Sequence, residues 1–402
     1  MRRAATLAAL LASALLASAS APARAEQTEA SSRITLFDEP SSKNSGIRVL
    51  HPQVDATAPL GSAVRIAAGY SVDIVSGATP ATFDTVTSAT KFSDTRHLVR
   101  GGFGFERPEG GVSFGYAYGW ESDYKSNVVS ATTHHDLYEH NFTLALAYSH
   151  NWDDVCDNNN RSAIGLPLER TPLTSSAACF TGADTVVTHR LHIDTLEPSL
   201  SWTMTPRLIV QGGATIQLLD GFQSNPYRKV LVGSQSRTPQ ESHPEFRQRY
   251  AGFARVAYAL PELRASVLAM LRFYNDSWAV RALTGDLQAT KYVGQSMLIT
   301  GRAHYHVQSG ASFYRNAQEY QIKGPPGEFW TGDRELSPMG NYLLGGKIAF
   351  FRRPQQERSS WFVEMELGAK YEILLYQLAS IYAPNSDRKF AHIVQGAFTL
   401  RF

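Results

Sequence analysis

The sequence predicts an all-β protein, a transmembrane antiparallel β-barrel of the bacterial outer-membrane type with about 16 strands, within a range of roughly 14 to 18. Three observations carry this prediction. Apolar and polar residues alternate with period two almost everywhere, and the 3.6-residue period of helices is nearly missing. Short connectors alternate with longer, more polar ones, the asymmetry of periplasmic turns and external loops. The stretch Phe390–Phe402 sets Phe390, Val394, Phe398, Leu400 and Phe402 against Gln395, Thr399 and Arg401 and closes on an aromatic residue. Such a strand resembles the assembly signal of outer-membrane barrels, with Phe402 as its key residue. Unpaired backbone in hydrocarbon costs several kcal/mol per group, so a last strand in lipid must find the first one.

Taken in order, Ile34–Phe37 is a short opening strand, and Ile47–Ala58 follows a polar loop. Pro52 marks a bulge or a parity slip in the second strand, because proline cannot donate to the ladder. Val64, Ile66, Ala68, Tyr70 and Val72 alternate with Arg65, Ala67, Gly69, Ser71 and Asp73. A loop over 76–94 comes next. Val99, Gly101, Phe103 and Phe105 then oppose Arg100, Gly102, Gly104 and Glu106, and Val112–Trp120 sets large aromatics over Ser113, Gly115, Ala117 and Gly119. A hairpin at Glu121–Ser126 leads to a weaker strand through Val128, and Phe142–Tyr148 is the next. Asn151–Val186 is a long loop holding both cysteines. Strands fit Leu191–Met204, Leu208–Leu219, Tyr250–Leu260, Ala265–Tyr274, Trp278–Tyr292, Met297–Tyr314, Tyr342–Phe351, Trp361–Tyr376 and Phe390–Phe402, with further long loops over 221–246 and 315–338. An even count places both termini on the periplasmic side. A water-soluble sandwich leaves unexplained why charges recur on one face of strand after strand while large apolar residues fill the other.

Residues 1–25 read as an export signal: Arg2 and Arg3, the apolar Ala4–Ala17, then Ala23-Arg24-Ala25 before Glu26. Residues 26–402 form a single barrel domain located in the cell outer membrane. Hydrophobic residues make up 43 % of the chain, and no later segment approaches the roughly 18 apolar residues of a spanning helix. The formal charge of +2 argues against a nucleic-acid partner. The partners expected are outer-membrane lipid and lipopolysaccharide, the barrel-assembly machinery and a periplasmic protein. Cys156 and Cys179, in one polar segment of an exported chain, are expected to close a surface loop as a disulfide, with free thiols the alternative.

Several phrases resemble an uncharacterised bacterial outer-membrane family, domain-of-unknown-function family 3570. They are Val72–Pro80, Glu121–Ser126, Gly221–Arg228, Arg272–Trp278 and, more loosely, Gln308–Tyr314. Glu121–Ser126 departs from the family phrase at Ser122. The resemblance implies fold and compartment and brings no catalytic residue with it.

Chemistry can sit on the inward faces. Glu364, Glu366, Lys370 and Glu372 lie opposite the apolar face Trp361, Val363, Met365, Leu367, Ala369, Tyr371 and Ile373. Arg302, His304, His306 and Gln308 alternate with Ile299, Ala303, Tyr305 and Val307. Asp73, Arg65, Arg100, Arg255, Arg272 and Arg401 also fall on inner faces. The expected arrangement is an acidic wall around Glu364, Glu366 and Glu372 facing a basic wall of Arg302, Arg272 and Arg255. A wet lumen of this width would pass small polar solutes or ions in the manner of a porin. Mutual salt bridging that plugs the interior is the alternative and would suit a docking barrel. His304 and His306 share a face, but a metal needs a third ligand, and no metal or cofactor is expected. His134 and His135 point oppositely, and His189 and His192 share no strand face. Ser149, His150, Asp153 and Asp154 cluster at a strand end, the remaining hint of a barrel-embedded hydrolase. No G-x-S-x-G or Walker phrase supports one, so the chain reads as a non-enzyme.

Overall fold

Period-two alternation gives each strand one face for lipid and one for water, and only closure removes the two edges such a sheet would expose. The computed structural model describes residues 27–40, 47–78, 91–230, 232, 238–315, 327–353, 362–378 and 390–402. Among them the strands are β1 (Glu29–Glu39), β2 (Ile47–Leu60), β3 (Val64–Ala78), β4 (Lys91–Arg107), β5 (Gly110–Trp120), β6 (Tyr124–Leu137), β7 (Phe142–Asn158) and β8 (Val186–Thr205). The second half adds β9 (Leu208–Gly221), β10 (Phe246–Leu260), β11 (Ala265–Asp276), β12 (Arg281–Val293), β13 (Met297–Gln308), β14 (Met339–Arg352), β15 (Glu364–Leu378) and β16 (Phe390–Arg401). Each strand pairs antiparallel with its sequence neighbours, and β1 pairs with β16, so the sheet is a closed barrel. The seam runs from Glu29 opposite Arg401 to Asp38 opposite His392. No helix among the described residues is long and apolar enough to cross a membrane; crossing is by strands.

The lipid face is plain on β14, where Leu344 and Phe350 are 52 % and 53 % exposed while the alternate Leu343 and Ala349 are 7 % and 2 % exposed. Phe103, Leu144, Trp202, Leu271, Tyr305 and Leu367 repeat the pattern around the barrel. Tight turns join strands at the end that carries both termini, such as residues 61–63 and 206–207. At the opposite end the described residues form three long loops: L1 (159–185), L2 (the described residues of 222–245) and L3 (the described residues of 309–338).

The count of sixteen agrees with the sequence expectation, but several details differ. The opening strand is 11 residues long, because polar Glu29, Ser31 and Arg33 occupy inner positions, away from the lipid face. Pro52 makes no bulge: Leu50 stands opposite Ile74 and Gln53 opposite Ser71, so one register continues past the ring. The proline drops its own ladder bond without inserting a residue. β6 continues to Leu137, well beyond Val128, since Ser130, Thr132 and His134 fill its inner face. Cys156 is not in a loop; it lies two residues before the end of β7, which pairs with β8 as far as Asn158 opposite Val186. β13 stops at Gln308 and β12 begins at Arg281, because Trp278, Phe313 and Tyr314 leave the wall and pack together above it. The export signal and Trp361 lie outside the described residues.

Candidate functional site

Below the loops the inner wall carries charge in register. Asp286 on β12 accepts from Arg302 Nε at 2.8 Å and meets His304 Nδ1 at 3.1 Å. Arg302 reaches on to Glu372 Oε1 at 3.1 Å, and Lys370 Nζ donates to the other oxygen of Glu372 at 2.9 Å. That bridge spans two strands because Gly345 stands between them; a Cβ there would lie 2.6 Å from Glu372 Cγ. The same device recurs on β2–β4, where Arg100 Nε reaches Asp55 at 3.1 Å over Gly69. Glu366 takes Lys347 at 3.1 Å, Glu364 takes Arg353 and Arg401, and Arg401 also holds Glu29 at 2.8 Å. Asp73 meets His51 at 2.6 Å, and His306 contacts Thr284 at 2.8 Å.

The expected acidic and basic walls are therefore not segregated. Adjacent strands place unlike charges within one or two strand spacings, so Glu364, Glu366 and Glu372 pair with their neighbours rather than facing cations across the lumen. Arg255 and Arg272 differ. Both are exposed on the inner face, with no ion pair among the described residues.

Above the wall, L1, L2 and L3 interlock into a cap. Glu39 at the top of β1 is fully buried and binds Arg334 of L3 at 2.9 Å. Asp333 pairs with Arg228 of L2, which also faces the fully buried Glu241 at 3.5 Å. Thr331 Oγ1 donates to Glu241 at 2.9 Å, and Trp330 Nε1 donates to the Gln240 carbonyl at 3.0 Å. Gln240 Nε2 in turn donates at 2.8 Å to Asp157 on β7, which Arg170 of L1 approaches to 3.6 Å. A polar chain thus joins inner-face carboxylates on β1 and β7, six strands apart, across the mouth. Burial alone would raise the Glu241 carboxyl, but Arg228 and His243 outweigh it and hold the group well below the usual carboxylate range. Trp278, Phe313, Tyr314 and Leu336 form an apolar core under L3, and Val230, Val232 and Trp330 a second. The Cys156 and Cys179 sulfurs are 2.00 Å apart, tying L1 to the end of β7.

The motif phrases cluster here. Asp276, within Arg272–Trp278, accepts from the backbone of Trp278 and Val280 and from Arg247, which fixes the turn 277–280. Gly221, which opens Gly221–Arg228, has φ +118°, and a Cβ there would meet the Arg190 carbonyl at 2.1 Å. Gln308 ties β13 to the Glu335 and Ser337 carbonyls. Glu121 and Asp123, with Asp94 of β4, bring one carboxylate oxygen each to within 4.8 Å of one another at the loop end. Burial first, then Asp123 and Asp94, raise the Glu121 carboxyl to about 7.

Other candidates do not converge. Ser149 and His150 take opposite faces of β7, and His150 turns outward to Asp194 at 2.9 Å. His134 faces Glu106 at 3.7 Å, His189 faces Asp157 at 3.5 Å, and His192 stacks on His150. Phe402 ends the outward column of β16, its amide donating to the Thr28 carbonyl at 2.9 Å. The residues that sequence reasoning missed are those of the cap: Glu39, Asp157, Gln240, Glu241, Trp330 and Arg334. The available signal was the run of Phe313, Tyr314, Phe329 and Trp330 in an otherwise polar segment.

Three barrels illustrate the likeness to solved structures. A bacterial polysaccharide outer membrane secretin has 11 % identity and a TM-score of 0.48, over 93 % of this chain and 98 % of that one. A loop L8 deletion mutant of OmpT, an outer membrane protein of Vibrio cholerae, has 8 % identity and a TM-score of 0.43 over 93 % and 98 %. The siderophore receptor PirA from Pseudomonas aeruginosa has 9 % identity and a TM-score of 0.40 over 94 % and 81 %. No curated protein matches the chain. The family described as "Protein of unknown function (DUF3570)" matches residues 84–351, a span that takes in every motif phrase except Val72–Pro80. With two thirds of its length covered, from the start of β4 through the cap to β14, the chain belongs to this family.

Proposed function

We propose that this protein is an outer-membrane passage for small polar solutes or ions, with its loop end outside the cell and its mouth spanned by its own loops. The observation that supports the reading is the contrast between exposed, charged inner side chains such as Arg255 and Arg272 and the interlocked cap above them. A water-facing wall gives polar solutes a path, and a loop cap held on Glu39 and Asp157 narrows the entrance to it. Lipid and lipopolysaccharide would contact the outer face, and the barrel-assembly machinery would read the strand ending at Phe402.

The cap also favours a second reading, a non-conducting barrel that docks a surface or periplasmic partner, since ordered loops make a rigid platform. Planar-bilayer recording of purified protein separates the two. Steady ion-conducting steps support passage; a silent, fully folded barrel supports docking.

A further inference from the structure

We propose that the inner wall of β10 and β11 holds a binding subsite for small organic anions, built from Arg255, Arg272 and Phe253; it rests on the passage reading for the ligand's route of entry. Four inner-facing arginines have carboxylates: Arg100 has Asp55, Arg302 has Asp286 and Glu372, Arg401 has Glu29 and Glu364, and Arg247 has Asp276. Arg255 has only a 3.4 Å contact to Gln211 Oε1, and Arg272 has no hydrogen bond or ion pair among the described residues.

Register sets the two side by side. Arg255 stands opposite Met270 and Arg272 opposite Phe253, so they are diagonal neighbours on one face, about 7–8 Å apart along the sheet. Arg249, higher on β10, adds a third positive charge whose partner is the neutral Gln217 at 2.9 Å. Like charges this close repel each other. The nearest carboxylate, Asp286 on β12, stands opposite Met270 and diagonal to Arg272 but is held by Arg302 and His304, so an entering anion is the counter-charge that can bind both open guanidinium groups. Guanidinium groups offer paired N–H donors matched to carboxylate and phosphate oxygens.

Phe253 supplies the organic part of the selectivity. Its ring leans over Gly213 of β9, where a Cβ would lie 2.6 Å from Phe253 Cε1. The ring therefore lies toward β9 and away from Arg272, leaving an apolar surface beside two open cations. Gln211, which donates to Ser201 Oγ at 3.3 Å, continues the polar rim. The complementary ligand carries carboxylate or phosphate groups on an apolar or cyclic skeleton.

Isothermal titration of the detergent-folded barrel in dilute salt, with phthalate and inorganic phosphate as probes, tests the subsite. Saturable phthalate binding is expected in the unmodified protein, at least tenfold weaker in the double variant Arg255→Gln/Arg272→Gln. Arg33→Gln removes another exposed inner-facing arginine that lacks a second cation beside it, and should change binding less than twofold. Phe253→Ala should weaken phthalate more than phosphate. Heat-modifiable migration checks that each variant is folded. No saturable binding, or a double variant that binds like the original, overturns the subsite. Equal losses for both probes in Phe253→Ala overturn the organic preference. A barrel that binds phthalate yet never conducts keeps the subsite and sinks the passage reading; one that conducts without binding does the reverse.

Discussion

The cap and the wall use the same charged residue types to opposite energetic ends. On the wall, Lys347 and Glu366 are register neighbours with 42 % and 21 % of their side chains exposed, so water screens the pair. In the cap, Arg228 and Glu241 come from distant points of L2 and are 15 % and 0 % exposed. Screened pairs contribute roughly 0–1 kcal/mol, whereas leaving one member of a buried pair alone costs about 3–5 kcal/mol. Charge on the wall is therefore energetically cheap to change, and charge in the cap holds loops in place.

Removing a cap partner should produce the largest effect. Arg228→Met strands Glu241 and Asp333, and the loop assembly should loosen by about 3–5 kcal/mol. Limited proteolysis should then cut L2 and L3 while the barrel stays heat-modifiable. Intact loops in that variant would mean the cap rests on its apolar cores. Next in size is the Cys156–Cys179 link, worth about 3 kcal/mol by loop-closure entropy. In Cys156→Ser/Cys179→Ser, L1 should become protease-sensitive before L3 does. Thiol labelling of unreduced cells that finds both cysteines reactive would contradict the bond itself.

On the wall, Lys347→Met should lower the unfolding free energy by less than about 1 kcal/mol. A larger loss would place that pair with the cap in its energetics and erase the contrast. The smallest expected signal is a pH effect at the β5–β6 hairpin. The Glu121 carboxyl is raised to about 7, so the folded state holds the proton more tightly than the unfolded chain. Its stabilising contribution is full below the ordinary glutamate value and is lost as pH rises through about 7. Hydrogen-exchange protection factors of residues 121–123, corrected for the intrinsic pH dependence of exchange and measured with a chelator present, should be higher at pH 5.5 than at pH 8. Glu121→Gln should flatten that dependence.

The same contrast explains what the sequence discloses. Wall residues are legible because a strand's parity is local: Ile299, Tyr305 and Val307 outside imply Arg302, His304 and His306 inside. Which charges meet is less so, since Arg302 reaches Glu372 only because Gly345 is empty between them. Cap residues follow no period. Gln240 and Asp157 are 83 positions apart, and Trp330 and Gln240 are 90 apart; no local pattern announces either contact. Cys156 was readable as a bonding partner of Cys179 but not as a strand residue, because the β7–β8 hairpin continues beyond the point where its apolar alternation stops.

The most direct test of a water-filled lumen beneath a loop cap is single-channel conductance of the original protein beside a variant with the chain of contacts cut at both anchors, Arg334→Gln/Gln240→Ala. We expect steady steps from the original protein and larger steps from the variant. Silence from both folded proteins would contradict the lumen as a path, and equal conductance would contradict the cap as its constriction.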